Sequence, residues 1–197
     1  MNAILEFAAA FFLSTFFSYW MHRLAHVHKP WNPLWINHKP HHQIKYDEHT
    51  PVMVYDWREF IFWFGTWKQT LDVWITDTIP TILAACIIGG AGWYILAFHY
   101  FYHVFLSGGL LEHNVKIKGP ITRILACGQF HMQHHRKFDR NFGFVIGLWD
   151  YVFRTYDLGY MQQGKARPVH AEPLWQSGTN RLWQRLGICH PSAYLDV

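Results

Sequence analysis

Apolar residues fall in long runs along this chain, with polar and charged residues gathered between them. Residues 3–21 (AILEFAAAFFLSTFFSYWM) are almost wholly apolar. At 1.5 Å per residue such a run just crosses a hydrocarbon core of about 30 Å. No Lys or Arg precedes it and it ends in YWMHR. A secretory leader needs a basic start and a small-residue cleavage site, so the run reads as a retained membrane helix. Residues 57–77 are apolar but carry Arg58, Glu59, Lys68 and Asp72. A lysine near mid-span is costly, so this segment reads either as a poor span or as an interfacial helix. Residues 79–107 are long enough to cross and project beyond the membrane, and GGAG at 89–92 can kink the run or fold it into a hairpin.

Charge adds direction. Residues 23–45 carry Arg23, Lys29, Lys39 and Lys45; residues 116–140 carry Lys116, Lys118, Arg123, Arg136, Lys137 and Arg140. The positive-inside rule puts both stretches on the cytoplasmic side, with an even number of crossings between them. Spans at 57–77 and 79–107 satisfy this, and so does one re-entrant hairpin folded at GGAG. Charged residues make up only 15% of the chain, against about a quarter in ordinary soluble domains. Aromatics reach 19%, as suits a membrane interface. They are mixed with aliphatics rather than arginines, so the +4 charge points to lipid and not to nucleic acid. The three cysteines form no CxxC and no even set, compatible with a reducing cytosolic face.

The candidate chemistry lies in fifteen histidines. His22 and His26 are four apart where the first apolar run ends, and four-apart residues share a helix face. His38, His41 and His42 form one HxxHH box, and His131, His134 and His135 form another. His99 and His103 are a further four-apart pair, on the apolar run. This repetition on one inferred side of a membrane predicts a metal site. Imidazole alone does not separate Zn, Cu, Fe and Ni. A zinc site takes about four ligands, whereas eight or more converging histidines suffice for two metals. Glu-x-x-His and HExxH are both absent. Haem held by histidine pairs is an alternative, but three-histidine clusters exceed the one or two axial ligands a haem needs. A histidine-rich binuclear iron site fits best.

HRLAH at 22–26, HKPHH at 38–42 and HMQHH at 131–135, followed by NFGFVIGLWDYVFRTY at 141–156, resemble the fatty acid hydroxylase / sterol desaturase superfamily of membrane oxygenases. The resemblance spans about residues 10–156. It implies an all-α integral membrane bundle whose cytosolic histidine-rich cap holds two Fe ions. It implies His22, His26, His38, His41, His42, His131, His134 and His135 as metal ligands. One branch of the family adds an HxxxH between the last two boxes and another adds a single His followed by Asn. This chain offers both, as His99/His103 and as His113-Asn114, and His113 ranks first. Asp150, Asn114 and Asn141 are expected in the layer around the ligands, Asp150 by accepting an imidazole N–H. His28 and His49 have no counterpart, and Arg154 stands where the family usually has Gly.

The implied activity is hydroxylation or desaturation of an unactivated C–H of a lipid-like substrate, with O2 as co-substrate. The two electrons come from a separate donor (ferredoxin, cytochrome or reductase), since the chain has no dinucleotide fingerprint. The alternative is a membrane metal- or haem-binding protein engaged in transport or electron transfer. Residues 1–156 are expected as the catalytic domain and 157–197 as a cytosolic extension, in a minimal form located in a bacterial inner membrane. Within HKPHH, Pro40 forbids an uninterrupted helix. It is expected to open a helix carrying His41 and His42, with His38 reaching the site from a preceding loop.

Overall fold

The computed structural model describes residues 2–47, 60, 61, 63 and 67–161. The beginning of the expected 57–77 segment and all of the expected extension beyond residue 161 lie outside the described residues, as does His49. Helix α1 is Ala3–Ala25, started by Asn2, whose side chain accepts the Ile4 N–H at 2.9 Å. Its 23 residues extend about 35 Å, enough to cross a bilayer. Ala10, Ser14, Ser18 and His22, spaced four apart, are buried, while Ile4, Leu5, Phe12, Trp20 and Leu24 are exposed. Small and polar groups therefore face the bundle and large apolar groups face outward, as expected where lipid replaces water as solvent.

Beyond the capping segment, helix α3 (Trp67–Val73) widens into a π-helical turn at Trp74–Thr78 and continues as α4 (Ile79–Ile88). Pro80 lacks the N–H that would bond the Thr76 carbonyl, and the widening comes immediately before it. Gly89 and Gly90 then turn the chain with φ of 68° and 49°, values a side chain tolerates poorly. A 3-10 turn (Gly90–Trp93) leads into α5 (Tyr94–Phe101), which continues as a π-helical stretch, Tyr102–Glu112, kinked at Gly108.

Among the described residues, three helices are long and apolar enough to cross a membrane: Ala3–Ala25, Gln69–Ile88 and Gly90–Glu112. The break between the second and third falls at Gly89–Gly90, not near residue 78 as spans at 57–77 and 79–107 require. The GGAG segment is thus a hairpin whose two arms are each of spanning length. Two helices of spanning length between the basic stretches are compatible with the expected even number of crossings. Ala10, Ala85 and Ile95 form the core where the three helices meet, covered by Phe7, Phe11 and Phe98.

The cap gathers at the end of α1. Asn32 donates to the carbonyls of Leu24 and Val27, each at 2.9 Å, and accepts from Leu34 N at the start of helix α2 (Pro33–His38). A 3-10 turn follows at Lys39–Gln43. After the third span come helix α6 (Gln129–Arg136), whose Phe130 forms a small core with Ala126 and Tyr160, and helix α7 (Leu148–Phe153), whose Trp149 and Phe153 pack on Phe16 and Tyr19 of α1. The described residues contain no strand, only an isolated bridge between Leu125 and Ile146.

Candidate metal centre

His22 on α1, His26 just beyond it and His113 just after the third span stand at one end of the bundle. Helices α2 and α6 and the 3-10 turn bring the boxes to the same place. The imidazoles sort into two groups: His22, His26, His38, His42 and His134, and His41, His113, His131 and His135. Each HxxHH box serves both groups. His38 and His42, four apart, enter the first, while His41 enters the second. In the other box the pair four apart, His131 and His135, enters the second and His134 the first.

Pro40 accounts for the local form of the first box. It stands at the start of the 3-10 turn carrying His41 and His42. His38 is the last residue of α2 and only 1% exposed, so it comes from a helix end rather than from the expected loop.

In the first group the Nε2 atoms lie close together: 3.1 Å from His22 to His38, 3.0 Å from His38 to His26, 3.2 Å from His26 to His42 and 3.0 Å from His42 to His38. Hydrogen bonding does not explain the His22–His38 separation. The His22 Nδ1 donates to the Phe142 carbonyl at 2.7 Å and His134 Nδ1 to the Arg140 carbonyl at 2.7 Å. A carbonyl can only accept, so both rings carry their proton on Nδ1. His38 Nδ1 faces the Asp72 carboxylate at 2.8 Å, which fixes the same tautomer. The Nε2 atoms of His22 and His38 are therefore both bare lone pairs at 3.1 Å, which repel unless a cation lies between them. Adjacent nitrogens around an octahedral metal with bonds of about 2.1 Å are about 3.0 Å apart. The second group is slightly wider, with Nε2 separations of 3.4 Å (His41–His113), 3.2 Å (His113–His131) and 3.2 Å (His131–His135).

The electrostatics agree with neutral, ligating imidazoles. Burial, reinforced by neighbouring rings, holds His26, His41, His42, His131 and His135 far below the ordinary histidine range. Burial pulls His113 and His134 down to about 3, although hydrogen bonds to backbone carbonyls oppose it. The donors therefore stay deprotonated at neutral pH, as metal binding requires.

His99 and His103 stand apart from both groups, with Asp77. Asn114 shapes the turn after His113, donating to Leu110 O and accepting from Lys116 N. Asn141 ties the start of α6 to the segment after α7 by donating to the carbonyls of Phe130 and Asp157. Asp150 accepts the N–H groups of Phe142 and Gly143 at 2.8 and 2.7 Å. It thus supports His22 through the Phe142 carbonyl rather than by touching a ring. His28 stacks on Trp35 with centroids 4.0 Å apart. The acid that does hold a ligand-type imidazole is Asp72. Its sequence signal is a carboxylate inside an apolar segment, one of the charged residues of 57–77.

Fold and site together define a bundle of membrane-length helices with a nine-imidazole cap able to hold metal ions. The fatty acid hydroxylase family model matches residues 7–155, and the chain belongs to that family. No curated protein and no solved structure matches the chain.

Proposed function

We propose that this chain is a membrane di-iron oxygenase that hydroxylates or desaturates an unactivated C–H of a lipid or lipid-like substrate. The observation carrying this reading is the convergence of Nε2 atoms in two adjacent all-imidazole groups, with the lone pairs of His22, His38 and His134 bared by the partners of their Nδ1 atoms. His22, His26, His38, His42 and His134 would hold one ion, and His41, His113, His131 and His135 the other. The ions, when bound, supply O2 activation; neutral imidazoles leave their positive charge uncompensated and the centre strongly electrophilic.

The chain's own residues prepare the place. Asp72, the Phe142 carbonyl and the Arg140 carbonyl fix ring tautomers so that Nε2 is the ligating atom. Phe144 stacks on His22 at 4.5 Å and Phe138 packs on His42 at 4.8 Å, walling the first group from water. Tyr46 stacks on His113 at 4.2 Å on the other side. A site at the end of the spans suits a chain-like substrate entering from the bilayer. Hydroxylation consumes O2, two electrons and two protons per C–H and yields the alcohol and water. A separate ferredoxin, cytochrome or reductase brings the electrons, and exposed Lys39, Lys45, Lys116, Lys118 and Arg136 around the cap suit an acidic donor. The distribution of basic residues supports a cap that faces the cytoplasm.

Iron analysis of the purified protein, followed by O2 uptake with reductant and lipid, tests the reading. Two irons per chain in the two histidine groups and substrate-dependent O2 uptake are expected, with this iron and the uptake lost in His134→Ala and His41→Ala. Bound metal without O2 consumption would instead identify a metal-binding membrane protein.

A further inference from the structure

Asp77, His99 and His103 meet where three spans cross, and neither histidine group uses them. Asp77 lies in the π-helical turn of the second span, the two histidines lie on the third, and all three are buried. Asp77 Oδ2 is 2.7 Å from His103 Nε2 and 3.4 Å from His99 Nδ1. All three residues offer a donor atom within 4.8 Å of the others. The remaining atoms of the triad are anchored from outside. Ser18 of α1 donates to Asp77 Oδ1, and Thr78 bonds His99 Nε2 at 3.0 Å. Trp63 stacks on His103 at 5.2 Å.

A carboxylate inside a membrane span is costly unless a cation compensates it. Among the described residues, the ion-pair partners of Asp77 are these two imidazoles. The geometry points to a third, mononuclear site in which Asp77, His99 and His103 bind one divalent transition-metal ion within the membrane bundle. Two imidazoles and one carboxylate are a common donor set for zinc or ferrous iron. Separations of 2.7 and 3.4 Å lie on either side of the roughly 3.3 Å edge of a tetrahedron with bonds of about 2.0 Å. Ser18 and Thr78 act as outer partners that orient ligands. A cavity of about 10 Å³ that Asp77 and His99 help to line has room for a water as fourth ligand. The metal-free alternative, in which His103 Nε2–H and His99 Nδ1–H both donate to Asp77, predicts no ion at this place. The ion would brace the second span against the third, and through Ser18 against the first.

The test is saturation of the purified full-length chain with cobalt(II), followed by removal of loose metal and counting of ions per chain. Asp77→Asn and His99→Gln are each expected to bind one ion fewer than the wild type. A His22→Ala/His41→Ala double variant, with the cytosolic groups disrupted, is expected to retain the visible absorption of a single low-symmetry cobalt ion. An unchanged count in a folded Asp77→Asn or His99→Gln variant overturns the site, and so does loss of all cobalt from the double variant. The readout is a difference of one ion, so it stands or falls separately from the dinuclear reading. If the cytosolic groups bind nothing, the wild type still holds one ion and Asp77→Asn none.

Discussion

Asp72 accepts the Nδ1 proton of His38 at 2.8 Å, although one residue lies on the second membrane span and the other at the end of a cap helix 34 positions earlier. The contact turns the His38 Nε2 lone pair toward His22, His26 and His42 and joins the cap to the bundle. Loss of such an outer partner typically weakens metal binding or activity 10- to 100-fold. Asp72→Ala is therefore expected to shed metal from the first group about that much faster against a chelator. Equal retention in variant and wild type would show that the ring is held by its other contacts.

Gly143 gives a second handle on the same group. A Cβ there would lie 2.9 Å from Asp150 Oδ2 and 2.5 Å from the Ile146 carbonyl. Asp150 grips Phe142 N and Gly143 N, and the Phe142 carbonyl holds His22. Gly143→Ala should force this clasp open at a cost of roughly 1–3 kcal/mol, as overpacking does. Thermal unfolding of the variant, with its metal content, checks this: both the midpoint and the occupancy of the first group should fall. An unchanged midpoint with full metal would mean that the loop has slack.

Arg154 predicts a change in the opposite direction. It closes α7 in the left-handed conformation, φ 57° and ψ 33°, where glycine is the usual residue. A side chain there costs about 1–2 kcal/mol, partly offset by the greater unfolded-state freedom of glycine. Arg154→Gly should raise the thermal midpoint by an amount equivalent to roughly 0.5–1 kcal/mol. The Arg140 bond to the residue-154 carbonyl is a backbone contact and survives the change. A lower midpoint would reveal a stabilising role for the guanidinium.

These residues also show what could be read before the fold was known. The histidine boxes announce themselves because ligand spacing follows helical periodicity, which is local. The grouping does not, since the split of each box between two sites depends on how α2, α6 and the 3-10 turn at Pro40 dock. Pro40 alone places His38 in a loop; its anchor is Asp72, distant in sequence. His99 and His103 have the same spacing as His22 and His26, yet meet Asp77 instead of the cap, because their helix places them deeper in the bundle. The hairpin was legible in GGAG, but the start of the second span was not. Its inward Asp72 and Asp77 depress an apolar signal that a lipid-facing reading takes at face value.

Acid should undo the site in a calculable direction. His113 and His134 are held at about 3, below the 6.5 of a free histidine. A depressed imidazole leaves the unfolded chain binding more protons than the folded one below pH 6.5. Its contribution is complete above 6.5 and is lost progressively as pH falls from there toward 3. At pH 5 each such ring costs about 2 kcal/mol of stability. In the metal-loaded protein, protons also compete for the Nε2 lone pairs that would bind the ions. The thermal midpoint of metal-free protein should therefore be flat from pH 8 to 7 and fall steeply between 6.5 and 5, with metal retention declining over the same range. His113→Ala should flatten part of that slope, because one proton-linked group is gone. A midpoint indifferent to pH down to 5 would mean that these rings are already protonated or hydrated in the fold, and that their Nε2 atoms are not free to bind a metal.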